Sequence, residues 1–185
     1  MRKVLLASAS PRRAQLIRQI ATDVVICPQD VEEKSSYVRP YKLVCDLARK
    51  KVGDLPTRKP HDIVVGSDTV VWCNSRVYGK PHTPEVACQY LRELAGRWHS
   101  VYTGVHVALE GRSVTFWDRA DVKFAKLSDE QIRAYVATQS PLDKAGAYGI
   151  QDHEVVERYR GCYETIVGLP TERLRQAIDT LEKEL

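Results

Sequence analysis

The hydrophobic pattern along this 185-residue chain changes period repeatedly, and each change marks a predicted element. Val4 to Leu6 reads as a short buried strand, and Ala14 to Ile20 as an amphipathic helix that Ser10 caps and Pro11 enters. "PQDVEEKSSYVRP" is too polar and too interrupted for a strand and reads as a surface loop. A second helix is expected from about Tyr41 to Val52, with Leu43, Val44, Leu47, Ala48 and Val52 on its apolar face. "IVVGSDTVVW" is the most apolar strand signal, followed by a turn at "CNSR" and a short return strand in "VYGKP". In "TPEVACQYLRELAG" Thr83 caps a helix, Pro84 takes its first position and Gly96 ends it.

Two alternating stretches follow, "SVYTGVHVAL" and "SVTFWDRADVKFAKL", joined at "EGR". Ser128 and Gln131 form a capping box for "DEQIRAYVAT". After the loop "QSPLDKAGAYGIQD", the spacing predicts a strand from Tyr163 to Val167 and a final helix after Thr171 that buries Leu174, Ile178 and Leu181. Strands alternate with helices but hairpins intervene, so the expected fold is α/β with a mixed sheet flanked by helices, not a purely parallel one.

Composition narrows the class. Hydrophobic content of 43% and charged content of 28% are ordinary for a soluble domain. No apolar run approaches the ~20 residues of a membrane span, and the first strand has no signal-peptide stretch before it. Five scattered cysteines without a CxxC pair read as reduced thiols, so the expected compartment is the cytoplasm. The net charge of +4 suits an anionic ligand, and without a long basic run it gives no support to nucleic-acid binding.

Several residues break their local pattern. Arg12 and Arg13 fall in the first turn of a helix, where cations repel the positive end of the dipole. Either an anion such as phosphate binds there, or one arginine pairs with an acidic surface loop and the other is solvated. Lys51 lies mid-way across the apolar face of its helix, so it either snorkels outward or reaches an internal anion. Asp68 interrupts the most buried strand, where a carboxylate needs a cation, several donors or a shifted pKa unless it caps a strand end. Glu32 and Glu33, in the irregular loop, are either solvated or bring a second carboxylate, and two such groups beside phosphate-binding cations would suit Mg²⁺ or Mn²⁺. Lys80 follows the return strand, where lysines are normally exposed, and the five histidines share no spacing that assigns them a role.

"LLASASPRRAQLI", "LARKKV", "VVGSDTVV", "YGKP", "LAGRWHSVYTGV", "PLDKAGAYGIQ" and "GCYETIVGLP" resemble, in order and spacing, the motifs of the Maf family of nucleotide pyrophosphatases, from about Val4 to Pro170. The resemblance implies a single Maf-like domain over residues 1–185, elongated and two-lobed with a central cleft, akin to the inosine-triphosphate pyrophosphatases. It implies metal-dependent hydrolysis of nucleoside triphosphates to monophosphate and pyrophosphate, a housekeeping role against non-canonical nucleotides, and a homodimer. By motif, Asp68 would be the catalytic base, and Glu33 and Asp68 would hold the metal (Mg²⁺, Mn²⁺ or Co²⁺). Arg12, Arg13, Lys51 and Lys80 would contact phosphates, with Ser8 lining the same loop. Arg12, Thr69 and Gln151 match the branch acting on dTTP and UTP, and a glutamine amide can satisfy both the N3–H and a carbonyl of uracil or thymine. After Gln151, "DHEVVERYRG" departs from the family's Gly-rich continuation and is about two residues shorter, which bears on base preference. The alternative is a nucleotide-binding regulator of cell division and septum formation; retention of Asp68, Glu33 and both lysines argues against a purely binding role.

Overall fold

The structure is a computed structural model that describes residues 2–138 and 140–184, so the loop expected over 139–152 begins on Gln139, outside the described residues. In chain order the elements are β1 (Val4–Leu6), α1 (Pro11–Ile17), β2 (Val24–Ile26), α2 (Pro40–Lys51), α3 (Leu55–Arg58), β3 (Ile63–Cys73), β4 (Arg76–Tyr78), α4 (Pro84–Leu94), β5 (Trp98–Leu109), β6 (Arg112–Phe124), α5 (Asp129–Ala137), β7 (Val156–Arg160), α6 (Tyr163–Val167) and α7 (Thr171–Lys183). Among the described residues seven strands pair in the order β2-β1-β3-β5-β6-β7, with β4 beside β3. β1 is parallel to β2 and β3, whereas β4 and β7 are antiparallel to their partners, so the sheet is mixed as expected.

The caps form where the sequence places them. Ser10 accepts from the Arg13 N–H, Thr83 from the Val86 N–H, and Ser128 exchanges both capping-box bonds with Gln131. Asn74 and Ser75 have positive φ, which closes the turn between β3 and β4. One expectation fails, and two short strands were not expected. Tyr163–Val167 is a short helix and not a strand, because its β-branched residues continue from a turn at Gly161 into one helical turn and leave the sheet edge to β7. β7 itself lies in the charged stretch "VERYR", and β2 is a half-exposed strand too short to show a period.

By contacts the chain forms two compact units, and β3, β5 and β6 contribute residues to both. The first comprises Met1–Asp68, Thr103–Asp118 and Val167–Leu185. β1 and the Ile63–Asp68 part of β3 are buried on both faces, as inner parallel strands require. Val4, Leu6, Ile63 and Val65 pack with α1 and α7 residues such as Ile17 and Leu174, while Leu5, Ala7 and Val64 pack on Val52 and Leu55. Two glycines set how closely α2 lies on this layer. A Cβ at Gly66 would sit 2.3 Å from the Ala48 carbonyl oxygen, and one at Gly104 would sit 2.4 Å from the Val44 carbonyl. Only a residue without a side chain permits that approach.

The second unit comprises Thr69–Tyr102 and Arg119–Ile166, with α4 packed on α5. At its centre His99 stands edge-on to Phe124 and Tyr148, with ring centroids 4.7 and 5.3 Å away. Its Nε2 lies 2.8 Å from the Tyr148 hydroxyl. Burial pushes the imidazole pKa from 6.5 down to about 3, with Asp121 opposing weakly. The unfolded chain therefore binds a proton near pH 6.5 that the folded ring refuses until about pH 3, and stability falls as pH drops through that window. In urea unfolding, the wild type is expected to lose about 1.4 kcal/mol per pH unit more than His99→Gln between about pH 6 and about pH 4. Parallel slopes for the two proteins would show that His99 titrates normally in the folded state.

Candidate active site

The residues that break their local pattern converge in the first unit, at the carboxyl ends of parallel strands, where open α/β sheets usually bind ligands. Side chains alternate along β3, so Val64, Gly66 and Asp68 share the face that meets α2. Gly66 lies against Ala48 and Val52, and two residues on Asp68 meets Lys51 from the last turn of α2. The Lys51 ammonium is 2.5 Å from Asp68 Oδ1 and 3.2 Å from Glu33 Oε2. Lys51 and Asp68 are nearly buried, with side chains 12% and 10% exposed, whereas Glu33 on the irregular loop is 58% exposed. Of the two readings open for Lys51, the internal anion is the one observed, and Asp68 sits within a continuing strand, not at its end.

On the opposite face of these strands lies a second polar group. Ser8 follows β1 and is buried; its hydroxyl accepts from the Ser10 N–H at 3.2 Å and from Arg13 Nη1 at 3.4 Å. Arg13 Nε donates to the Gly168 carbonyl at 3.0 Å, and the buried Ser67 hydroxyl donates to the same oxygen at 2.8 Å. Burial lowers the Arg13 pKa from its ordinary value, while Asp68 raises it, neighbouring Arg12 lowers it and Glu33 raises it. The α1 start thus holds the Arg13 guanidinium within electrostatic range of Asp68 and Glu33, with that of Arg12 beside it. The sequence did not mark Ser67 or Gly168 as site-building; only the "GLP" block near α7 hinted at the latter.

Thr69, Lys80 and Gln151 belong to the second unit. Thr69 is half-buried in β3, Lys80 is exposed after β4, and Gln151 is exposed beside a groove of about 340 Å3 that Tyr159 and Tyr163 also line. Among the described residues no three His, Cys, Asp or Glu side chains gather as a metal cage, and no helix is long and apolar enough to cross a membrane. Asp68 and Glu33 nevertheless fit a hard divalent cation: both are oxygen donors, and both already turn toward one cationic group, the Lys51 ammonium. Mg²⁺ commonly takes one or two protein carboxylates and completes its shell with water and phosphate.

Breaking the buried pair from one side leaves an uncompensated charge. Lys51→Met is expected to lower unfolding stability at pH 7 by about 3 kcal/mol, and adding Asp68→Leu to recover most of that loss. Additive losses in a double-mutant cycle from urea unfolding would show that the two charges are not coupled.

Comparison with known proteins places the chain in a family. The Maf-like protein family profile matches residues 3–181. The dTTP/UTP pyrophosphatases of Bacillus cereus (strain AH820) and Bacillus anthracis (strain CDC 684 / NRRL 3495) are each 42% identical over 177 residues, covering 94% of this chain and 93% of theirs. The Staphylococcus aureus Ham1 protein shares the fold over the whole of both chains, with a TM-score of 0.57 at 13% identity. With nearly its full length matched by the profile and by these relatives, the chain belongs to the Maf-like protein family.

Proposed function

We propose that this chain is a nucleoside triphosphate pyrophosphatase that hydrolyses dTTP and UTP to the monophosphate and pyrophosphate. The observation that carries the reading is the meeting of Lys51, Asp68 and Glu33 beside the arginine-bearing start of α1. The relatives named dTTP/UTP pyrophosphatase support the same reaction and substrates.

Hydrolysis of a phosphoanhydride asks the protein mainly for position and charge. Asp68 takes a proton from the attacking water, a role its place in a rigid, continuing strand favours. Arg13, held by Ser8 and Gly168, and Lys51 at the end of α2 supply fixed cations for phosphate oxygens as pyrophosphate leaves. Arg12, in the same turn of α1 as Arg13, adds a second guanidinium. Asp68 and Glu33 would hold a divalent cation, which would supply Lewis-acid polarisation of a phosphate and acidify water. Lys80 is a further phosphate ligand by family resemblance, and Arg12, Thr69 and Gln151 select the base. Gln151 borders a groove whose volume of about 340 Å3 reaches the lower end of small-molecule sites.

Pyrophosphate release from a panel of nucleoside triphosphates is expected to require Mg²⁺ or Mn²⁺, to stop with chelator, and to favour dTTP and UTP over ATP and GTP. Asp68→Asn is expected to lower kcat by ~10²–10⁴-fold with an unchanged circular-dichroism spectrum. A near-normal rate in that variant would remove Asp68 from the chemistry, and release from purines alone would reassign the branch.

A further inference from the structure

Gln151 sits in a tightly built turn. The Asp152 N–H donates to the Gly149 carbonyl at 3.0 Å, which makes residues 149–152 a β-turn with Gln151 at its third position. The Asp152 side chain reaches back across the same turn, and its Oδ2 accepts from the Gly149 N–H at 2.9 Å. Tyr135, buried on α5, donates its hydroxyl proton to that carboxylate, and its oxygen accepts from the Gly149 N–H at 3.3 Å. Burial and the Asp152 charge raise the Tyr135 pKa far above its ordinary value, so the phenol remains a donor at every physiological pH. The Val155 and Val156 N–H groups both donate to the Asp152 carbonyl, at 3.0 and 3.2 Å, which ties the turn to the start of β7.

The Gln151 amide lies against this clamp. A Cβ built on Gly149 would stand 2.9 Å from Gln151 Oε1 and 2.9 Å from Asp152 Oδ2, so the two oxygens crowd one point above the glycine. Where the amide oxygen can lie therefore depends on where the Asp152 carboxylate lies. A glutamine amide presents an acceptor and a donor, and reversing or loosening it blurs the difference between a base edge that offers N3–H and one that offers an amine.

We propose that Asp152 and Tyr135 are positioning residues that fix the orientation of the Gln151 amide, so that the charged segment following Gln151 sets base discrimination in this chain. The inference rests on Gln151 being the base-facing residue. UTP and CTP make the test, since they share ribose and triphosphate and differ at one edge of the base.

The measurement is kcat and KM on both nucleotides for wild type, Asp152→Ala, Asp152→Asn, Tyr135→Phe and Gln151→Glu, each checked for folding by thermal melting. Asp152→Ala is expected to shrink the UTP:CTP ratio of kcat/KM by about tenfold, through KM, with kcat on UTP within about twofold of wild type. Asp152→Asn, whose amide oxygen still accepts from Gly149 and Tyr135, is expected to retain the ratio within about threefold. Equal losses on both nucleotides in Asp152→Ala, with the ratio intact, would show a merely structural role and overturn the proposal. If Asp152→Ala does not fold, Tyr135→Phe decides: a reduced ratio supports the proposal and an unmoved one overturns it. An unmoved ratio in Gln151→Glu would sink the base-facing reading of Gln151 and this inference with it, whereas a shift there without one in the Asp152 and Tyr135 variants would sink this inference alone.

Discussion

The first unit depends on a helix backbone lying directly on a sheet. At Gly66 and Gly104, α2 approaches β3 and β5 to distances no side chain allows. That contact fixes the height of α2 and therefore the reach of its last turn. Any side chain at either glycine would lift the helix and draw Lys51 away from Asp68. A carboxylate as enclosed as Asp68 would then lack its cation, at a cost of several kcal/mol. The apolar core beneath, with Val64, Val52 and Leu55, holds the helix down, so packing free energy is what keeps the ion pair together.

The charges themselves run against local preference. Two arginines in the first turn of α1 oppose the helix dipole, an effect of about 0.3–1 kcal/mol each. Ser10 and Pro11 offset part of it by capping and pre-shaping the turn. Arg13 is then partly desolvated against Ser8 and Gly168. Local and global preferences disagree most where a chain has a task beyond folding. Here the disagreements at Arg12, Arg13, Lys51 and Asp68 all fall within one unit, and Arg13 and Lys51 each lie within electrostatic reach of Asp68.

Those conflicts were legible because each one violates a short-range period. A lysine on an apolar helix face or an aspartate inside an apolar strand is visible without a partner in view. The caps at Ser10, Thr83 and Ser128 were legible for the same reason, since each is decided within four residues. Long-range partners were not. Nothing in the sequence joins Ser67 to Gly168 or Tyr135 to Asp152, because those pairings exist only once separate segments are packed. Strand identity failed where elements are short. Tyr163–Val167 has β-branched content but makes one helical turn, and Val24–Ile26 spans too few residues to show alternation.

The charged stretch after Gln151 forms an ordered edge despite its polar composition. On β7, the Arg158 and Arg160 guanidinium groups lie over the Trp98 ring, 5.5 and 4.7 Å from its centroid. Edge strands that carry charge resist pairing with other chains, which suits the outermost strand of this sheet. Asp152 is bound into the turn by Tyr135 and Gly149. The polar residues that make the segment look solvated are thus largely engaged within the second unit. Gln151 stays exposed in the turn they brace, its amide oxygen sharing the space above Gly149 with the Asp152 carboxylate.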